Sequence, residues 1–66
     1  MPITDQRKAM QTVVESAQYL SCSRRRIWDL LRAGELTGVR DGKHVKIRTE
    51  ELDSYIDRLP AYEPSA

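Results

Sequence analysis

Apolar residues recur three and four apart in three stretches of this chain and alternate with charge in a fourth, which predicts three short helices and one hairpin. Val13, Ala17 and Leu20 fall at i, i+4 and i+7, with Tyr19 at the margin of the stripe. In front of them Thr12-Val13-Val14-Glu15 reads as a capping box, its hydroxyl and carboxylate each serving an orphan amide, so a first helix is expected to start here. Ser21-Cys22-Ser23 breaks it, and Ser23 is a suitable N-cap for a second helix from about Arg24 to Ala33. Ile27, Leu30 and Leu31 form the apolar face of that helix; Arg25, Asp29 and Arg32 point the opposite way, flanked by Arg24 and Trp28. Gly34 is the expected stop, since glycine takes the left-handed C′ conformation without strain.

Leu36 to Arg40 and Lys43 to Arg48 are strand candidates. Asp41-Gly42 between them suits a type I′ turn, whose two central positions both need positive φ. Val45 and Ile47 alternate with His44, Lys46 and Arg48, so one face of the hairpin is expected to pack inward and the other to carry charge. Thr49 is read as the cap of a third helix, with Glu50 and Glu51 at the positive end of its dipole and Leu52, Tyr55, Ile56 and Leu59 on its apolar face; Pro60 closes it. Residues 1–11 are left as an arm in which Asp5 to Met10 tolerate helix, and residues 60–66 as a tail without a packing signal. Two helices across a three-residue turn, followed by a hairpin and a clamping third helix, make an α+β fold over residues 12–59: a small winged helix-turn-helix with a two-stranded wing.

Charge changes the picture by its placement. From Arg24 to Arg48 there are eight Lys/Arg against three acids, whereas residues 49–66 hold one Arg against five acids, and the total is only +1. A basic blade on a short helix and a hairpin has the size and sign to engage duplex DNA. With 66 residues the chain is one small domain that buries only about 60% of its unfolded surface, which disfavours a deep catalytic pocket. One cysteine and one histidine exclude an internal disulfide and a Cys/His zinc site. No apolar run nears the roughly 18 residues of a membrane span, and Met1 to Gln11 lacks the centre of a secretory signal, so a cytoplasmic protein is expected. There is no Gly-rich phosphate loop and no nucleophile with an evident base, so the expectation is a binder: not an enzyme, and without cofactor or small-molecule substrate.

A ten-residue helix of about 15 Å fits a major groove about 12 Å wide. Arg24 and Arg25 are the candidates for bidentate readout of guanine, Ser23 and Arg32 for phosphate. Trp28 is expected to be a half-buried ring at the helix–wing junction, with an indole N–H able to reach a phosphate. Arg40, Lys43, His44 and Lys46 are the wing candidates, since a narrow cationic hairpin suits a minor groove. A solvated Arg face and an edge strand protected by charge are the competing structural explanations. Arg26 lies nearer the core side, where the alternatives are DNA contact and an ion pair with Glu15 or a wing carboxylate. Asp29 opposes phosphate and is read mainly as a holder of Arg25 or Arg32. Cys22 is read as an apolar plug in the turn, and His44 as a polar wing residue with no catalytic role.

The run from Thr12 to Leu36, with Ser23-Arg24-Arg25-Arg26-Ile27-Trp28 and Gly34-Glu35-Leu36, and the run Val39 to Leu52 resemble the MerR-like winged-helix family of phage and mobile-element excisionases. The resemblance covers about residues 12–59. It implies an accessory protein that bends attachment-site DNA, binds it as adjacent cooperative copies and biases an integrase toward excision. It places the reading helix on Ser23, Arg24, Arg25 and Trp28, and the wing on Arg40 to Lys46. Arg26 and Asp29 depart from it, standing where the pattern commonly has Thr and a basic or polar residue. A small prophage transcription regulator shares the pattern, and a protein-interaction adaptor using the basic wing is the alternative from another class.

Overall fold

A computed structural model describes residues 8–64 of the chain. In order these form β1 (Met10–Thr12), α1 (Val13–Leu20), α2 (Arg24–Ala33), β2 (Gly38–Asp41), β3 (His44–Arg48) and α3 (Thr49–Arg58). The result is the expected α+β winged helix-turn-helix with one addition. The hairpin is part of a three-stranded antiparallel sheet ordered β1-β3-β2, because Met10, Gln11 and Thr12 pair with Arg48, Ile47 and Lys46. The last residues of the expected arm are therefore strand and not helix: tertiary pairing with β3 outweighs a local helix preference. The rest of the arm, residues 1–7, lies outside the described residues, as do residues 65–66 of the tail.

Local chemistry sets the helix ends. The Thr12 hydroxyl accepts from the Glu15 amide at 3.1 Å and the Glu15 carboxylate accepts from the Thr12 amide at 2.9 Å, closing the capping box. The Ser23 hydroxyl accepts from the Arg26 amide at 3.1 Å and caps α2. Both helices stop in the same way. At the end of α2, Gly34 has φ 80°, its amide donates to Leu31 and the Glu35 amide to Leu30. At the end of α1, Ser21 has φ 57°, its amide donates to Gln18 and the Cys22 amide to Ala17. These are two Schellman stops, and the first holds a serine in the left-handed region where glycine is at home.

Two sequence expectations fail for tertiary reasons. Thr49 does not cap α3; the N-cap is Arg48, which makes no side-chain cap bond. Thr49 is buried, its hydroxyl accepting from the Gln11 amide group at 3.0 Å and donating to the Lys8 carbonyl, while its own amide donates to Ala9. It fastens α3 to Gln11 of β1 and to Lys8 and Ala9, the two residues before that strand. The turn also shifts by one residue: Asp41 pairs with His44, so Gly42-Lys43 is the two-residue loop. Gly42 has φ 64° and Lys43 is not left-handed, which is the φ pattern of a type II′ turn instead of type I′.

The core is Ala17, Ile27, Leu30, Leu36, Ile47, Leu52 and Tyr55, with Val13, Leu20, Cys22 and Leu31 packed against it. Cys22 thus behaves as the expected plug. The apolar face of α3 is only half used: Leu52 and Tyr55 are buried, but Ile56 is 43% and Leu59 51% exposed. Among the described residues, Ser16 is fully buried and its hydroxyl has no hydrogen-bond partner. Removing an unpaired buried hydroxyl relieves its desolvation, and alanine is the better helix former, so Ser16→Ala should stabilise the fold by about 1 kcal/mol. A thermal midpoint that falls on this substitution would show that the hydroxyl is satisfied by water.

Candidate nucleic-acid interface

The capped start of α2 and its apolar stripe determine where its polar residues go. With Ile27 and Leu30 buried, Arg24, Arg25, Trp28, Asp29 and Arg32 line one open concavity on the far side of the helix. Arg24 and Arg25 are exposed there, and neither guanidinium has a carboxylate partner among the described residues. Arg32 donates to Asp29 at 2.9 Å, which fits the expected holding role of Asp29. Both side chains are at least half exposed, so the pair orients Arg32 more than it stabilises the fold. Ser23 accepts the Arg26 amide through its oxygen and keeps its O–H available as a donor.

Trp28 is the joint between helix and wing. It is 39% exposed and lines the Arg24–Arg32 concavity on one side. On the other it lines a second depression with Leu31, Gly38, Val39, Arg40 and Val45. Helix and hairpin therefore meet along a shared strip of surface instead of facing opposite directions. Gly38 permits the approach: a Cβ there would sit 3.2 Å from Leu31 Cδ2 and 3.2 Å from Val45 Cγ1, tighter than ordinary contact. Gly38 is not among the expected site residues, although an isolated glycine at the start of a strand pattern is a signal of close backbone approach.

The strand register divides the wing cations. Arg40 pairs with Val45, on the sheet face that also carries Ile47, and so lies toward Trp28 and α2. His44 and Lys46 alternate onto the other face, and Lys43 sits in the loop; Arg40, Lys43 and His44 are exposed. Lys46 is half-buried and donates to the Asp41 carboxylate at 2.9 Å, so it is committed within the wing. The nine residues expected to form the site thus fall into a group of four at α2, Trp28 at the junction, and four across the hairpin. Arg26 stands apart from all of them, lining depressions between α2 and α3, and the expected partner Glu15 is taken by Lys8.

Two carboxylates, the partly exposed Glu15 and the exposed Asp41, are held below their ordinary values. The Lys8 side chain, then the Thr12 amide, lowers Glu15 from 4.5, and Lys46 lowers Asp41 from 3.8. A carboxylate depressed on folding contributes stability above its unfolded value, and that contribution fades as pH falls through the folded one. The thermal midpoint should be flat down to about pH 4.5 and decline below it. A Glu15→Gln, Asp41→Asn variant should show a shallower decline, and identical acid profiles would remove these two groups from the account.

Among the described residues no cluster of His, Cys, Asp or Glu could hold a metal, and no helix is long and apolar enough to cross a membrane. A search of curated proteins finds no match to the chain. The sequence profile of the helix-turn-helix domain, a DNA-binding family that includes excisionase-like proteins, matches residues 12–60. That span contains both capped helices, the wing and α3, and the chain belongs to the helix-turn-helix domain family.

Proposed function

We propose that the chain binds duplex DNA by laying α2 in a major groove and the wing against the adjacent minor groove, and that it serves as an excisionase. The observation that carries the reading is the continuity at Trp28 between the Arg24–Arg32 concavity and the Arg40 edge of the wing. Arg24 and Arg25, exposed and without carboxylate partners, read guanine edges. Ser23, Arg32 and the Trp28 N–H hold phosphate, and Arg40, Lys43 and His44 occupy the minor groove. Lys46 reaches phosphate by exchanging its bond to Asp41. The excisionase role draws on the family, on the resemblance of residues 12–59 and on a basic module too small for tight binding alone.

About five phosphate contacts give a slope near −4.5 for log affinity against log salt. Weak single-site binding favours neighbouring copies, since adjacent sites raise occupancy without improving any one contact. Titration of one-site and two-site duplexes at several salt concentrations tests both statements. A slope near zero would favour an adaptor that uses the wing on an acidic protein. Adding the protein to an integrase reaction on paired attachment sites tests the role. Salt-dependent binding with unchanged excision would leave a transcription regulator of the same fold.

A further inference from the structure

The face turned away from the Arg24–Arg32 concavity is not closed. Between α2 and α3 runs a groove of about 440 Å³ lined by Leu20, Leu30, Tyr55, Ile56 and Leu59, with Arg26 among its lining residues. Ile56 and Leu59 leave much of their apolar surface in water there. Arg26 has no carboxylate partner among the described residues: Glu15 is held by Lys8, and the neighbouring Asp29 by Arg32. Arg58, the other arginine nearby, already donates to the Glu35 carbonyl at 2.8 Å. The groove thus combines an apolar floor with one uncommitted positive charge.

The chain carries a segment of matching chemistry. After Leu59 comes Pro60-Ala61-Tyr62-Glu63-Pro64, without helix, strand or turn, and Tyr62 is 86% exposed. The segment pairs an aromatic anchor with an adjacent carboxylate, and prolines at both ends bias it toward extended backbone, which lowers the entropy lost on docking. Leu59 lines the groove, yet no turn follows it to fold the tail back. A tail leaving at the lip of its own groove is placed to enter that of a neighbour.

We propose that Tyr62 and Glu63 of one copy dock in the α2–α3 groove of a second copy, the ring on Leu30, Ile56 and Leu59 and the carboxylate on Arg26. The contact is heterologous, joining different surfaces, so it either closes reciprocally between two copies or extends along a row. It uses none of the residues assigned to DNA and is testable without DNA, so its failure and that of the DNA reading are distinguishable.

The test is paramagnetic broadening in the full chain carrying Cys22→Ala. Copies labelled with 15N and lacking a spin label are mixed with unlabelled copies bearing a nitroxide at Ser65→Cys. Broadening of the Leu30, Ile56 and Leu59 amides in the mixture is the expected result, and Tyr62→Ala in the nitroxide-bearing copy should reduce it severalfold. Arg26→Glu in the 15N copy should abolish it, and Glu63→Arg in the nitroxide-bearing partner should restore it, which a merely misfolded variant would not allow. Broadening seen only when one chain carries both labels, with none between copies, would overturn the proposal. So would broadening centred elsewhere, or none at all.

Discussion

A protein with alanine at both Arg24 and Arg25 is expected to lose about 2–6 kcal/mol of duplex affinity, from about 1–3 kcal/mol per base-reading arginine. That is a weakening of roughly 30-fold to 20,000-fold. Both side chains are exposed, and neither has a carboxylate partner among the described residues, so the thermal midpoint should barely move. The pattern of loss is as informative as its size. Arginines that read bases relax discrimination between sites and leave most of the salt slope, whereas arginines that only neutralise phosphate weaken all sequences alike and flatten it. Arg24→Lys and Arg25→Lys separate the two further, since lysine keeps the charge but not the planar fork. Full affinity in the double alanine variant would move recognition off the start of α2.

Ile27→Ala is expected to cost about 3 kcal/mol, within the usual range for a large aliphatic side chain deleted from a packed core. Ile27 is fully buried on the inner face of the same helix. In a domain this small such a loss lowers the midpoint by roughly 12–24 °C. DNA binding at low temperature should survive, because the outer face of α2 is unchanged. Ile56→Ala is the informative contrast. Pattern alone puts Ile56 in the core, but it is 43% exposed, and its truncation should cost less than about 1 kcal/mol. Equal losses at the two positions would contradict this difference in burial.

The legible parts of the chain are those whose causes are local. Thr12 and Glu15, Ser23 and the Arg26 amide, and Gly34 with its carbonyls act within three to five residues, so type and order along the chain were sufficient to place them. The same holds for the outward face of α2: burying Ile27 and Leu30 leaves Arg24, Arg25 and Arg32 outside by helical geometry alone. At Ser21 the sequence shows only a break, because nothing in a serine announces a left-handed stop. Composition locates the turn near Asp41-Gly42 but not its phase, since strand pairing of Asp41 with His44 sets which two residues form the loop.

What the sequence determined by itself is therefore the set of elements and the placement of their charge, because both follow from spacing along a single helix or strand. Tertiary structure decided how those elements share surface. Pairing with β3 makes β1 a strand, and Gln11 and Thr49 meet across 38 positions to turn an expected cap into a fastener. Gly38 lets Leu31 and Val45 approach, so the wing lies beside Trp28. Ile56 and Leu59 stay in water, and Arg26 joins them and not the other arginines. Each of these outcomes depends on a contact between residues distant in sequence, and the periodicity of one segment carries no information about what a remote segment will cover.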